Sequence, residues 1–295
     1  MFNLEYSKEV EGQVSSIKQF KKRIVAAVND RVLVFELEKN KGILSIGNPV
    51  AKWERAYSIE SLVIRGDTIV VGDKLRSVSV LKLVETLADA TSDADDAMEV
   101  VEQQAVSVQL QTTAMDMAAV WPCAVEVLDD GKTIIAAQLD GNILTWEFDE
   151  GRLEPRAAFY VGEIINKFVI LPPRSQSSTR PVALFVTNSG RIGMLSTVDD
   201  ANAIQLTRLE LKMDKVIKGL GGMRHSDWRA PKLLSSSKKA PPRRGVTDGD
   251  YIKRFLELDD EIAKRILSEG SAAEQIGPAE EEQIRRCLEA LSVDQ

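Results

Sequence analysis

Few side chains in this 295-residue chain have the type and spacing that reactive chemistry needs. His225 is the only histidine, and Cys123 and Cys287 stand far apart, so a metal centre would have to be assembled from scattered carboxylates. No CxxC, HExxH, GxxxxGK(S/T) or GxGxxG pattern occurs. The run Gly219-Leu220-Gly221-Gly222 follows a helical pattern instead of preceding one, which is the wrong side for cradling a phosphate. The pairs Asp129-Asp130 and Asp199-Asp200 fall at turn signals, where aspartate bonds its own backbone. Nothing places two carboxylates on opposite walls of a cleft, as glycoside hydrolysis requires. The residue types therefore predict a binding protein with no catalytic residue, no cofactor and no metal, in which His225 is structural.

Composition narrows the class of partner. A net charge of −7 gives the chain no basic footprint of the kind that drives non-specific nucleic-acid binding, so DNA contact is expected only indirectly, through another subunit. Hydrophobic residues at 44% and charged residues at 28% are ordinary for a globular chain with a substantial core. No apolar run approaches the roughly 20 residues that span a bilayer, and no secretory apolar segment opens the chain. With two distant cysteines, a reducing compartment is expected, cytosol or nucleus.

The elements that would position a binding surface change character at Leu206 to Arg229. Before that stretch apolar residues alternate; within it Leu206, Leu209, Met213, Val216, Ile217 and Leu220 recur at steps of three and four, a helical stripe that Gly219, Gly221 and Gly222 are expected to end. Trp228 follows, and its indole is expected to plug the seam between the two halves.

Residues 23–37 read as a hairpin around Asn29-Asp30, with Ile24, Ala26 and Val28 on one face and Leu33, Phe35 and Leu37 on another. Similar hairpins recur around Gly72 to Lys74, Asp129 to Gly131, Asp140 to Asn142 and Asn188 to Gly190. Their spacing of roughly 45 to 65 residues is close to that of propeller blades, whereas a sandwich predicts more even strands every 8 to 12 or so. The prediction is a mainly β fold, the later blades of a β-propeller followed by a small helical domain. Residues 1–205 form the partial propeller, about four blades or parts of blades, and residues 206–295 the helical domain.

Two segments break the pattern. Residues 86–118 carry Asp89, Asp93, Asp95, Asp96, Glu99 and Glu102 among small residues, and read as an acidic, solvated insertion. Residues 232–246 read as a basic linker, in which Lys238, Lys239, Arg243 and Arg244 could also serve as a nuclear-localisation or phosphate-contacting cluster. Beyond it Asp248 offers a helix N-cap, Ile252, Phe255 and Leu256 an inner face, and Pro278 the first turn of a last helix carrying Ile284, Leu288 and Leu291.

Several stretches together, in collinear order, resemble the damage-specific DNA-binding protein family, the large propeller adaptors of cullin-4 ubiquitin ligases. They are KEVEGQVSSI (8–17), VGDKLRSVSVL (71–81), WPCAVEVLDD (121–130), GEIINKF (162–168), LFVTNSGRIG (184–193), LELKMDKVIKGLGGMRHSDWR (209–229) and TDGDYIKRFLEL (247–258). Propeller subunits of splicing factor three b and of the cleavage and polyadenylation specificity factor share the GDxxRS and terminal DGDxIxxFL blocks, which leaves an RNA-processing role with RNA and protein partners as the alternative.

The resemblance implies the last of three seven-bladed propellers plus the helical end, without the cullin-gripping propeller, the first propeller or the early blades of its own ring. It implies a nuclear and cytoplasmic scaffold in the DNA damage response that docks a helix of a substrate-receptor protein and reaches a cullin only through the missing propellers. Receptor-facing positions carried over by matching motifs are Leu75, Arg76, Trp121, Asn166 and Asn188, although Lys167 and Asn188 stand where the family shows apolar residues. Trp228, Asp248, Asp250 and Phe255 are assigned to the structural joint.

Overall fold

Alternating apolar residues form the strands here, and glycine, asparagine and aspartate turn them. The computed structural model describes residues 6–40, 43–87, 106–128, 130–172, 179–233 and 245–293. The strands form four antiparallel sheets, the blades of a β-propeller, and a small helical region follows them. Two compact units divide the chain, residues 1–127 with 148–153, and residues 128–147 with 154–295.

In the first unit, β1 (Val14–Phe20), β2 (Arg23–Val28), β3 (Arg31–Asn40) and β4 (Ile43–Trp53) lie side by side in sequence order. Asn29 turns β2 into β3 with a left-handed φ of 53°. Ile24 pairs with Phe35 and Ala26 with Leu33, so the two apolar sets share one face; residues directly opposite in an antiparallel pair point the same way. The expectation that they lie on different faces is corrected by that register. The other face, Val25, Ala27, Val32 and Val34, is fully buried at 0% exposure, and these strands are therefore covered on both sides.

The second sheet takes β5 (Ile59–Arg65), β6 (Thr68–Asp73), β7 (Val78–Leu87) and β8 (Val106–Met115) in the same order. β8 falls inside the stretch whose composition reads as a loop. Only Leu110 and Ala114 are buried there while Gln109, Gln111 and Thr113 face solvent, so the strand's polar face continues the small, polar composition of the stretch before it. Trp53 Nε1 donates to Thr112 Oγ1 at 2.9 Å and ties β8 to β4. The acidic residues Asp89 to Glu102 lie outside the described residues.

The third sheet has the order β12 (Arg152–Tyr160), β11 (Asn142–Asp149), β10 (Thr133–Gln138), β9 (Pro122–Val127), and the fourth is β13 (Ile165–Ile170), β14 (Thr179–Thr187), β15 (Ile192–Val198).

An internal repeat appears in the register. The first strand of three sheets carries a one-residue bulge at its second position, at Ser15, Glu60 and Asn166. The residue after the second strand then donates its N–H to the residue just before the first: Asn29 to Gln13, Lys74 to Ser58 and Asn188 to Ile164. The loops after second strands are thus equivalent ends of equivalent blades.

Gly72 marks a close approach within the first unit. A Cβ there would lie 2.6 Å from Val125 Cγ2 and 3.2 Å from Ser61 Cβ. Gly72→Ala is expected to destabilise the chain by about 1–3 kcal/mol through overpacking, measured as a shift in the denaturation midpoint.

In the second unit α1 (Asp200–Val216) starts earlier than the stripe from Leu206 implies. Asp199 is its N-cap, accepting the Asn202 N–H at 2.8 Å, which corrects the reading of Asp199-Asp200 as a turn. Leu206, Leu209 and Met213 are buried as the spacing predicts. The helix stops at Val216 because Ile217 turns extended, two residues before the first glycine. Leu220 therefore leaves the stripe and is 98% exposed, while Gly221 and Gly222 take positive φ in a separate turn.

Short helices α2 (His225–Trp228) and α3 (Gly249–Lys253) follow, then α4 (Asp260–Ser268) and α5 (Pro278–Val293). Their core joins Leu209 and Met213 to Ile252, Phe255, Ile266 and Leu288. The cluster Lys238, Lys239, Arg243 and Arg244 lies outside the described residues. Burial pushes the Cys123 and Cys287 thiols up from their usual range. No helix among the described residues is long and apolar enough to cross a membrane.

Candidate partner-docking site

Asp73 builds the site from beneath. It ends β6 and is 3% exposed, yet its carboxylate is fully used: it accepts the N–H of Tyr57 at 2.8 Å, of Ser58 at 3.1 Å and of Leu75 at 3.0 Å. Those bonds hold the loop before β5 against the β6–β7 turn. Leu75, which has its backbone pinned, leaves its side chain 58% exposed.

Arg76 joins a third loop. Its carbonyl accepts the N–H of Val120 at 2.7 Å and of Trp121 at 3.0 Å. Its guanidinium lies 4.5 Å from the Tyr57 ring centroid, and Nη2 donates to the Tyr57 hydroxyl at 3.1 Å. Trp121 holds a left-handed φ of 52°, an outlier for a bulky residue that costs of order 1–3 kcal/mol and clusters at functional sites. Leu75, Arg76 and Trp121 are thus brought together at one blade end. Tyr57 and Met117, 60% and 79% exposed, share it; neither carries a sequence signal beyond being apolar in a loop.

Asn166 and Asn188 lie at the paired ends of β13 and β14 in the second unit. Asn166 is the bulged residue of β13, Asn188 donates to the Ile164 carbonyl at 2.9 Å, and both side chains are exposed. Beside them Glu163 accepts bonds from the Ser189 and Thr187 hydroxyls, which hold its carboxyl below the usual range. Lys167 is exposed next to them.

The residues assigned to the joint form a second centre. Asp248 caps α3, accepting the N–H groups of Asp250 and Tyr251, and is 5% exposed. Its Oδ2 also meets His225 Nε2 at 2.9 Å and Arg229 Nε at 2.5 Å, and its own N–H donates to Glu210 at 3.0 Å. Burial alone would raise this carboxyl, but the His225 bond and the Arg229 charge more than reverse that and hold it at about 2. His225 stacks on Tyr251 with centroids 3.7 Å apart. Burial, reinforced by the Asp214 charge, pushes the Tyr251 phenol up to about 12.

Phe255 is fully buried, with the Arg285 guanidinium 5.0 Å from its ring, and Asp250 is exposed and pairs with Arg191 at 3.0 Å. Trp228 differs from expectation: it is 49% exposed, edge-on to Tyr160 at 5.9 Å. Arg229 reaches the strand instead, donating to the carbonyls of Tyr160 and Val161.

Among the described residues no group of three or more histidine, cysteine or acidic side chains could hold a metal ion. The blade end presents exposed apolar side chains and one oriented guanidinium.

Residues 1–257 match the family described as the CPSF A subunit region. The chain belongs to that family. The chain is similar to DNA damage-binding protein 1a of Arabidopsis thaliana, 28% identical over 265 residues, 85% of this chain and 22% of the relative. DNA damage-binding protein 1 of Oryza sativa subsp. japonica is 28% identical over 296 residues, covering 94% of this chain and 25% of the relative. The counterpart in Solanum lycopersicum is 28% identical over 278 residues, 87% and 23%. The chain therefore spans about a quarter of the length of the curated relatives it matches.

Proposed function

We propose that the chain is a non-catalytic scaffold of a nuclear and cytoplasmic cullin-RING ubiquitin ligase acting in the DNA damage response, and that it docks a helix of a substrate-receptor protein. The observation that carries this reading is the meeting of Leu75, Arg76 and Trp121 on one exposed blade end, in a chain whose relatives are named for binding damaged DNA. A flat indole and a planar guanidinium are the side chains that dominate protein-protein hot spots. An amphipathic helix fits such a surface by laying its apolar anchors across it. Asn166 and Asn188 are proposed as a docking position of the second unit by itself, and the cullin contact is assigned to propellers beyond the matched quarter. In this scheme residues 1–205 dock and residues 206–295 brace, with Trp228, Asp248, Asp250 and Phe255 as the joint. An RNA-processing role is less favoured, because the relatives' names point away from it.

Copurification of the tagged chain tests the class: cullin and receptor proteins support it, and splicing or polyadenylation factors in their place remove it. Trp121→Ala or Arg76→Ala is expected to weaken receptor binding by about 2 kcal/mol, a loss of about thirtyfold, read by titration calorimetry. Unchanged affinity in both variants removes the site assignment.

A further inference from the structure

The blade end around Arg76 has an imbalance of charge that says what a partner must bring. Three carboxylates on or beside these loops are already engaged. Asp73 is turned inward on three backbone N–H groups, Asp116 accepts the Ser77 hydroxyl, and Glu60 faces Lys74 at 3.6 Å. Among the described residues no carboxylate pairs with Arg76.

Its guanidinium is nevertheless held in one place, stacked on the Tyr57 ring with one nitrogen bonded to the Tyr57 hydroxyl. The remaining donors form a fork that matches a carboxylate, and its orientation is settled before binding. On the same loops Leu75, Tyr57 and Met117 are exposed by 58%, 60% and 79%, so apolar side chains accompany the guanidinium. The few cations of these loops, Lys74 among them already facing Glu60, do not make a nucleic-acid footprint in a chain of net charge −7.

We infer that this site takes a protein segment whose apolar anchor is flanked by a carboxylate, with Arg76 receiving the carboxylate and Tyr57 positioning Arg76. The inference rests on the docking reading above and adds the chemistry of the partner. An acidic side chain, or the free carboxyl end of a helix, would bond the fork while leucine-like anchors cover Leu75 and Met117. A neutral segment would bury the guanidinium beside apolar groups without a countercharge, which is unfavourable. Tyr57 acts only through Arg76, and Met117 only through apolar contact.

The test uses the whole chain and a displayed library of helix-forming peptides of about 16 residues, with leucines along one face and every residue type allowed at the flanking positions. Selection on the wild type is expected to enrich aspartate or glutamate at one fixed flanking position, and selection on Arg76→Glu to enrich lysine or arginine there. The best acidic peptide should lose about thirtyfold or more in affinity to Arg76→Glu. Tyr57→Phe, which keeps the ring and removes the hydroxyl, should weaken it about threefold without affecting the peptide's glutamine counterpart. Thermal melts establish that these surface variants fold.

Peptides that are neutral at every position, or that bind Arg76→Glu equally well, overturn the inference. If such peptides still need Leu75 and Met117, the acidic anchor fails and the docking surface stands. If no binder depends on either residue, both fail.

Discussion

Asp248→Ala is expected to destabilise the chain by about 3–5 kcal/mol, because it leaves Arg229 and the α3 N-terminus without their shared acceptor. The Arg229 side chain is 11% exposed, so the stranded charge has little water to turn to. Asp248→Asn keeps the shape and one acceptor, and isolates the charge.

The sign with pH follows from the depressed carboxyl, about 2 in the folded chain against 3.8 for the ordinary group. A carboxyl lowered by folding contributes stability that is fully present above about pH 4 and is lost as pH falls toward 2, here about 2 kcal/mol. Urea denaturation of the wild type and of Asp248→Asn across pH 2 to 7 should give a stability difference that is constant near neutrality and narrows below about pH 4. Parallel pH profiles would mean that the carboxylate does not carry that energy.

How much of this was legible in the sequence depended on whether the signal was local. The blades were readable because each hairpin carries its own alternation and its own turn residues, as in residues 23–37. The Asp248 cap and Pro278 at the first position of α5 were readable for the same reason, since a helix start is decided within one turn. β8 was not, because its apolar residues are interleaved with Gln109, Gln111 and Thr113 directly after a run of acidic and small residues, so composition over the whole stretch outweighs the local alternation.

The end of α1 was misread because Ile217, not a glycine, makes the stop, and a residue with ordinary helix propensity gives no warning of it. At the site, Leu75, Arg76 and Trp121 came from motif resemblance, while Tyr57 and Met117 depend on which loops Asp73 draws together across the fold. No spacing rule connects residues 57, 75 and 117. Asp73 itself looks on sequence like an ordinary turn residue after Gly72, and only its three backbone partners reveal that the loops hang from it.

Asp73→Ala should accordingly do two things at once. Removing the carboxylate strips the Tyr57, Ser58 and Leu75 N–H groups of their acceptor at a position 3% exposed, and a hydrogen bond to a charged group is worth about 1.5–3 kcal/mol net. Water entering the cavity would satisfy part of the deficit, so the expected loss of stability is about 2–4 kcal/mol, below the sum of three bonds.

The second effect is on binding. With the loop before β5 no longer tied to the β6–β7 turn, Tyr57 and Arg76 lose their fixed relation, and a partner must supply the ordering that Asp73 provides in the wild type. Receptor affinity should fall about tenfold or more, at temperatures where the variant remains folded. Hydrogen exchange separates the two effects: the amides of Tyr57, Ser58 and Leu75 should lose protection, while those of Val70 and Val80 within the sheet keep theirs relative to the new global stability. Protection retained at Tyr57 and Leu75, with affinity unchanged, would show that the loops hold their arrangement without the carboxylate and that the site does not depend on it.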